Sequence, residues 1–155
     1  MNLNKEEGVN MQIKIKKLNP NAKTPTRGSE QAAGYDIYAC LETENLTIPA
    51  HCTVKVPTGI SMAIPEGYFG GIFARSGLAS KKGLRPSNCV GVIDSDYRGE
   101  FIVMLHNDTN EPKTIENGDR VGQLVILPCM MIDFEETDCL DETVRGSGGF
   151  GSSGK

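Results

Sequence analysis

RVGQLVILP, residues 120–128, reads as an inner β-strand, and its class sets the class of the whole chain. A short apolar run of this kind suits a strand inside a sheet. Pro128 marks where its pairing stops, because proline has no N–H to give the ladder. Upstream, FIVML (101–105) is apolar on both faces and predicts a strand buried between two layers. Shorter runs alternate instead: Met11, Ile13 and Ile15; Val54 and Val56; Ile60, Met62 and Ile64. Period two over short runs bounded by turn residues is the strand signature. Helix is scarce. The longest stretch free of Pro and Gly, residues 129–145, has no clear 3.6-residue period, and one helical turn is predicted around Leu78–Lys82. Many short strands with frequent turns predict an all-β chain, as a sandwich, jelly roll or barrel.

At 155 residues the chain is most simply one domain, large enough to bury roughly two-thirds of its unfolded surface. A net charge of −4 with no polybasic block argues against non-specific duplex nucleic-acid binding, so an anionic ligand must be met by a few placed cations. The five cysteines (Cys40, Cys52, Cys89, Cys129, Cys139) form no CxxC pair, and His51 and His106 complete no zinc site with them at usual spacings. The thiols are expected to be small core residues. The first ten residues hold no apolar stretch for a signal peptide and no segment approaches a membrane span, so a reducing cytoplasm is the expected compartment. Residues 1–10 and 145–155 are expected to be mobile without a partner.

Five segments are over-specified for folding alone. AAGYDIYA (32–39) sets Asp36 in an apolar run, where a carboxylate is costly unless bonded or near a cation; a rim aspartate capping a turn is the plainer reading. ARSGLASKKG (74–83) places a guanidinium, a hydroxyl and an unshielded amide side by side at Arg75, Ser76 and Gly77. That suits phosphate oxygens, and also an ordinary surface turn. In NCVGVIDSDYRGE (88–100), Asp94 and Asp96 are expected on one side of an extended segment, with Tyr97 on the other. One carboxylate is able to take a proton from water, while DSDYRG also reads as a hairpin tip braced by Asp96. In NGDRVGQLVILP (117–128), Gln123 interrupts the strand as either a ligand contact or a satisfied core amide. Finally, RGSGGFGSSGK (145–155) combines a guanidinium and an aromatic face with five glycines. It reads as a disordered end, or as a segment that orders on a ligand. Two histidines make a serine–histidine–aspartate set unlikely to assemble, so nucleophilic serine catalysis is disfavoured. Carboxylates, arginines, glycine turns and a stacking aromatic suit metal-assisted water attack on a polyphosphate attached to a base and a sugar.

In this order, AAGYDIYA, ARSGLA, GVIDSDYRGE, NGDRVGQL and RGSGGFGSSG closely resemble the motifs of the trimeric dUTPase family, over residues 32–154. The resemblance implies a homotrimer of jelly-roll subunits, each a β domain over 1–144 with a flexible glycine-rich lid over 145–155. It implies hydrolysis of dUTP to dUMP and pyrophosphate with Mg2+, which limits uracil in DNA and supplies dUMP for thymidylate synthesis. By position, Asp94 is the base that orients the attacking water and bonds the 3′-hydroxyl. Tyr97 packs under the deoxyribose and excludes a 2′-hydroxyl. Asn88 and the backbone of Gly91, Val92 and Ile93 read uracil, while Arg75, Ser76, Gly77 and Gln123 hold phosphates. Asp36 is implied as a second-shell partner of magnesium-bound water. In the tail, Arg145 reaches the γ-phosphate, Phe150 stacks on uracil, and Gly151 and Ser152 add phosphate contacts. The related dCTP deaminases carry a catalytic glutamate on the strand after the third motif. Here GEFIVMLHN puts Met104 at that place. A regulatory binding protein on the same scaffold is the reading from another class.

Overall fold

The structure, a computed structural model, describes residues 11–149. In chain order it contains β1 (Lys14–Lys17), β2 (Thr26–Arg27), β3 (Tyr35–Tyr38), β4 (Asn45–Ile48), β5 (Thr53–Pro57), β6 (Ile60–Ala63) and β7 (Tyr68–Phe73). Then come α1 (Ser76–Lys82), β8 (Leu84–Pro86), β9 (Val90–Ile93), β10 (Ile102–Asn107), β11 (Lys113–Glu116) and β12 (Arg120–Pro128). The strands form four antiparallel sheets: β1 with β6, β11 with β4, the trio β5–β10–β8, and a five-stranded sheet in the order β2–β3–β12–β7–β9. The all-β expectation holds.

RVGQLVILP is the nine-residue β12 at the centre of the largest sheet, and Pro128 is its last paired residue, opposite Tyr68. One irregularity matters for the site. The register with β3 runs Gln123↔Asp36 and Gly122↔Ile37, then Arg120↔Tyr38, leaving Val121 as the extra residue of a bulge. Strict alternation would put Arg120 and Gln123 on opposite faces. The bulge brings Arg120 to the face that carries Gln123 and Asp36.

The core gathers residues from all four sheets, with Ile37, Ile48, Val56, Ile60, Leu84, Phe101, Leu105, Ile115 and Val121 fully enclosed. Other expectations need correction. In FIVML, Phe101, Val103 and Leu105 are buried, but Ile102 is 38% exposed and Met104 only half-buried: β10 has one covered face, and the other borders a cleft. Of the early alternating run, Ile13 packs on the core while Ile15 stays exposed on β1, which is an edge strand of a two-stranded sheet. Only Cys40 of the five thiols is a core residue, with burial, and secondarily Glu100, pushing its pKa up. Cys52, Cys89, Cys129 and Cys139 are exposed because they fall in turns and in the segment after β12. The predicted helical turn is α1, closed by Gly83 in the left-handed region at φ 66°.

Two buried polar side chains hold loops that the sheets leave unpaired. Thr58 donates its hydroxyl to the Phe101 carbonyl. Asn107, fully enclosed, donates from Nδ2 to the carbonyls of Ile48, Pro49 and Glu111 at 3.0, 3.2 and 2.8 Å, and accepts at Oδ1 from the N–H and hydroxyl of Thr109. Asn107→Leu keeps the volume but strands these partners. Denaturant unfolding should show a loss of about 2–4 kcal/mol, in keeping with buried groups left without hydrogen bonds; an unchanged midpoint would contradict this role.

Candidate active site

Two hairpin-like turns build a cleft beside β9. After β8, Ser87–Cys89 reverse the chain: the Ser87 N–H donates to the Met104 carbonyl at 2.7 Å and the Cys89 N–H to the Pro86 carbonyl at 3.1 Å. Cys89 itself sits in the left-handed region at φ 63°. β9 then pairs with β7 and, among the described residues, with no other strand. An antiparallel edge strand turns alternate peptide groups away from its neighbour, so β9 has an outer side without a strand partner among the described residues; the Val90 N–H there donates to the Asn88 carbonyl at 2.6 Å. A cleft of about 250 Å³ lies here, walled by Asn88, Gly91, Val92 and Ile93, by Asp94 and Tyr97 beyond the strand, and by Ile102 and Met104 of β10.

The segment after β9 is not extended, which corrects the expected geometry. β9 ends at Ile93 and the chain turns through Ser95 and Asp96, with the Tyr97 N–H donating to the Asp94 carbonyl at 3.2 Å. Asp94 and Tyr97 therefore wall the same cleft instead of facing opposite ways, and Asp94 and Asp96 also share the rim of a neighbouring groove. The brace is Arg98, not Asp96: its guanidinium donates to the carbonyls of Ser95 at 2.6 Å and Tyr97 at 2.9 Å.

A charged cluster sits at the other end of the same sheet row. Asp36, Gln123, Phe73 and Val90 stand opposite one another on β3, β12, β7 and β9. Three interstrand spacings put Asp36 about 14 Å from Val90 at the mouth of the cleft. Asp36, 14% exposed, accepts from Arg75 Nε at 2.7 Å through one carboxylate oxygen and from Arg120 at 3.2 Å through the other. It is neither a turn cap nor unpaired. Arg75 occupies the N-cap position of α1 without capping it, which leaves its guanidinium for Asp36. Gln123 donates Nε2 to the Ala74 carbonyl at 2.8 Å, fixing the residue before Arg75, while its Oε1 fills the space beside Gly34 where a Cβ would stand 2.7 Å away. In the described chain Nε2 of its amide thus has a structural partner. Ser76 and Gly77 begin α1, and nothing lies within 4 Å of a Cβ position on Gly77.

Sequence reading missed Arg120, since its reach to Asp36 depends on the bulge; a charge just before the Gly122 of a β12-type strand is the only local sign. The fifth motif is not brought to the cleft among the described residues. Arg145 folds back on its own segment, with Nε donating to the Gly148 carbonyl at 2.9 Å. Phe150, Gly151 and Ser152 lie outside the described residues.

Comparison with known proteins decides the family. The dUTPase family model matches residues 20–154. The chain belongs to the dUTPase family. Across 85% of its length it is 50% identical to a deoxyuridine 5′-triphosphate nucleotidohydrolase of Desulfitobacterium hafniense, covering 87% of that protein. In structure it is similar to a variant dUTPase of Staphylococcus bacteriophage 80alpha with dUpNHpp: TM-score 0.84, 28% identity, 93% of this chain and 99% of the other. It is also similar to a variant dUTPase from phage phi11 of S. aureus that shows coordination of a structural Mg(II) ion. There the TM-score is 0.74 and the identity 25%, over 83% of this chain and 97% of the other. As a dUTPase-family chain it is a nucleotide hydrolase, and the charged cluster can be tested on that activity. Asp36→Asn keeps the shape and removes the charge that orients both guanidinium groups. The catalytic efficiency should fall on the order of tenfold to a hundredfold, as expected for losing charge-assisted hydrogen bonds, with little change in melting temperature. Wild-type efficiency would show that the arginines need no such clamp.

Proposed function

We propose that this chain hydrolyses dUTP to dUMP and pyrophosphate, with Asp94 as the base. The observation that carries this is the cleft itself: Asp94 and Tyr97 face a space bounded by the unpaired edge of β9. Uracil offers alternating donors and acceptors along one edge, which matches a strand's free N–H and C=O groups. A base with the wrong pattern would leave buried groups unpaired, and the Asn88 side chain closes the slot. Tyr97 packs against the deoxyribose. The triphosphate runs along the sheet row to Arg75, Ser76, Gly77 and Arg120, with Gln123 holding the turn that presents them.

Asp94 accepts a proton from a water molecule as its oxygen bonds to the α-phosphorus. The bond from that phosphorus to the bridging oxygen breaks, and its electron pair leaves with pyrophosphate. Arginines already oriented by Asp36 stabilise the charge on the leaving group without reorganising. Among the described residues, no cluster of three or more His, Cys, Asp or Glu side chains could cage a metal. That donor set fits Mg2+ carried on the triphosphate and its waters, with lone pairs left on Asp36 for a water-mediated contact. Bound there, Mg2+ would neutralise phosphate charge.

Met104 separates this reading from deamination: a thioether stands in the cleft where a deaminase places its glutamate. Glu100 also borders the cleft, but its carboxylate accepts from the Gly59 N–H at 2.7 Å. We further propose a homotrimer with composite sites. Met130, Met131, Ile132, Phe134, Leu140 and Val144 are all strongly exposed on a segment without strand or helix, a surface suited to neighbouring copies. Residues 145–155 would then close as a lid over a neighbour's nucleotide, with Arg145 at the γ-phosphate, Phe150 on uracil, and Gly151 and Ser152 at the phosphates. The free thiols accord with a cytoplasmic role in keeping uracil out of DNA and supplying dUMP.

Pyrophosphate release from dUTP tests the base directly. Asp94→Asn should lower turnover about 10²- to 10⁴-fold while dUTP still binds; unchanged turnover would refute the assignment, and ammonia from dCTP would refute the reaction. Deleting residues 145–155 should abolish turnover and leave a folded trimer by light scattering. Full activity of the truncated protein would end the lid claim.

A further inference from the structure

We infer that Gly99 is a positioning residue for sugar discrimination: the absent Cβ at 99 is the seat of the Tyr97 ring. The inference rests on Tyr97 packing against the deoxyribose. The ring lies back over its own turn. Its hydroxyl donates to the Glu100 carbonyl at 3.1 Å, and its plane is inclined 30° to that of buried Phe101, with centroids 6.5 Å apart. A Cβ on Gly99 would stand 2.5 Å from Tyr97 Cζ and 3.0 Å from Cε2, and closer still to the hydroxyl. The three atoms nearest that position all belong to this ring.

Backbone conformation does not explain the glycine. Among the described residues the left-handed glycines are Gly59, Gly67, Gly83, Gly118 and Gly146, and Gly99 is not one of them. Alanine can therefore adopt the local backbone, and the collision falls on the ring alone. Tyr97 is 43% exposed, so the ring can swing outward without opening the core. The surrounding chain is fixed independently: Ser61 Oγ donates to the Arg98 carbonyl at 2.7 Å and the Phe101 N–H to the Ile60 carbonyl at 2.9 Å. A Cβ at 99 thus moves one wall of the cleft and leaves the fold intact. The wall that moves is the one placed to exclude a 2′-hydroxyl.

The test compares catalytic efficiency on dUTP and UTP for wild type, Gly99→Ala, Tyr97→Ala and the double variant, with melting temperatures. Gly99→Ala should lower efficiency on dUTP about tenfold or more, the scale of a sub-ångström to ångström misplacement. The preference for dUTP over UTP should shrink with it while the melting temperature holds. Tyr97→Ala removes every atom that the new Cβ meets. In that background Gly99→Ala should cost no further preference, so the two changes are non-additive. An unchanged preference in Gly99→Ala would overturn the inference. So would a lost preference that comes with a lower melting temperature, or a further loss when Gly99→Ala is added to Tyr97→Ala. Wild type that hydrolyses dUTP and UTP equally would instead refute the reading of Tyr97 on which the inference stands.

Discussion

An edge strand leaves alternate peptide groups without a partner, and β9 is such a strand at the border of the five-stranded sheet. Most exposed edges invite unwanted pairing and are blunted. Here the edge is short, four residues, and it is walled by β10 and by the turns at both of its ends. Those walls shelter the edge and leave a cleft beside it. The Ser87–Cys89 turn is tied to β10 through the Met104 carbonyl, so the slot's width is set by two sheets that do not share a ladder.

The central strand links this slot to the charged cluster. Gln123 stands in one row with Asp36, Phe73 and Val90, and its amide secures the carbonyl that precedes Arg75. A polar group in the middle of an apolar strand would be costly if unpaired. Here it is paired, and it fixes the start of the Arg75–Gly77 turn. The bulge at Val121 supplies the second guanidinium from the same strand. The cleft and the charged cluster are therefore borne by one sheet, an arrangement suited to the preorganised recognition proposed above.

Much of this was legible in the sequence where the signal is local. Alternation and punctuation predicted the strands, Pro128 ended β12, and the Leu78–Lys82 turn became α1. What stayed hidden depends on partners distant in the chain. No local pattern says that Val121 is a bulge, so nothing in the sequence marks Arg120 as a partner of Asp36. Nor does FIVML reveal that one face of β10 meets a cleft instead of a second layer. The DSD stretch read as extended because the Arg98 brace that folds it lies outside its own alternation. Hydrophobicity also misplaced the cysteines, four of which sit in turns and in the exposed segment after β12. The motifs identified the family, while their physical roles needed the ladder.

The account turns on the free edge of β9 as the reader of the base. The most direct measurement follows the backbone amide resonances of Gly91, Val92 and Ile93 by NMR while the isotope-labelled protein is titrated with dUMP and, separately, with dTMP. The account predicts that amides of this strand shift strongly and saturably with dUMP, and far less with dTMP, whose added methyl the slot does not admit. Saturation by dUMP with all three amides unmoved, or equal shifts with dTMP, would contradict it.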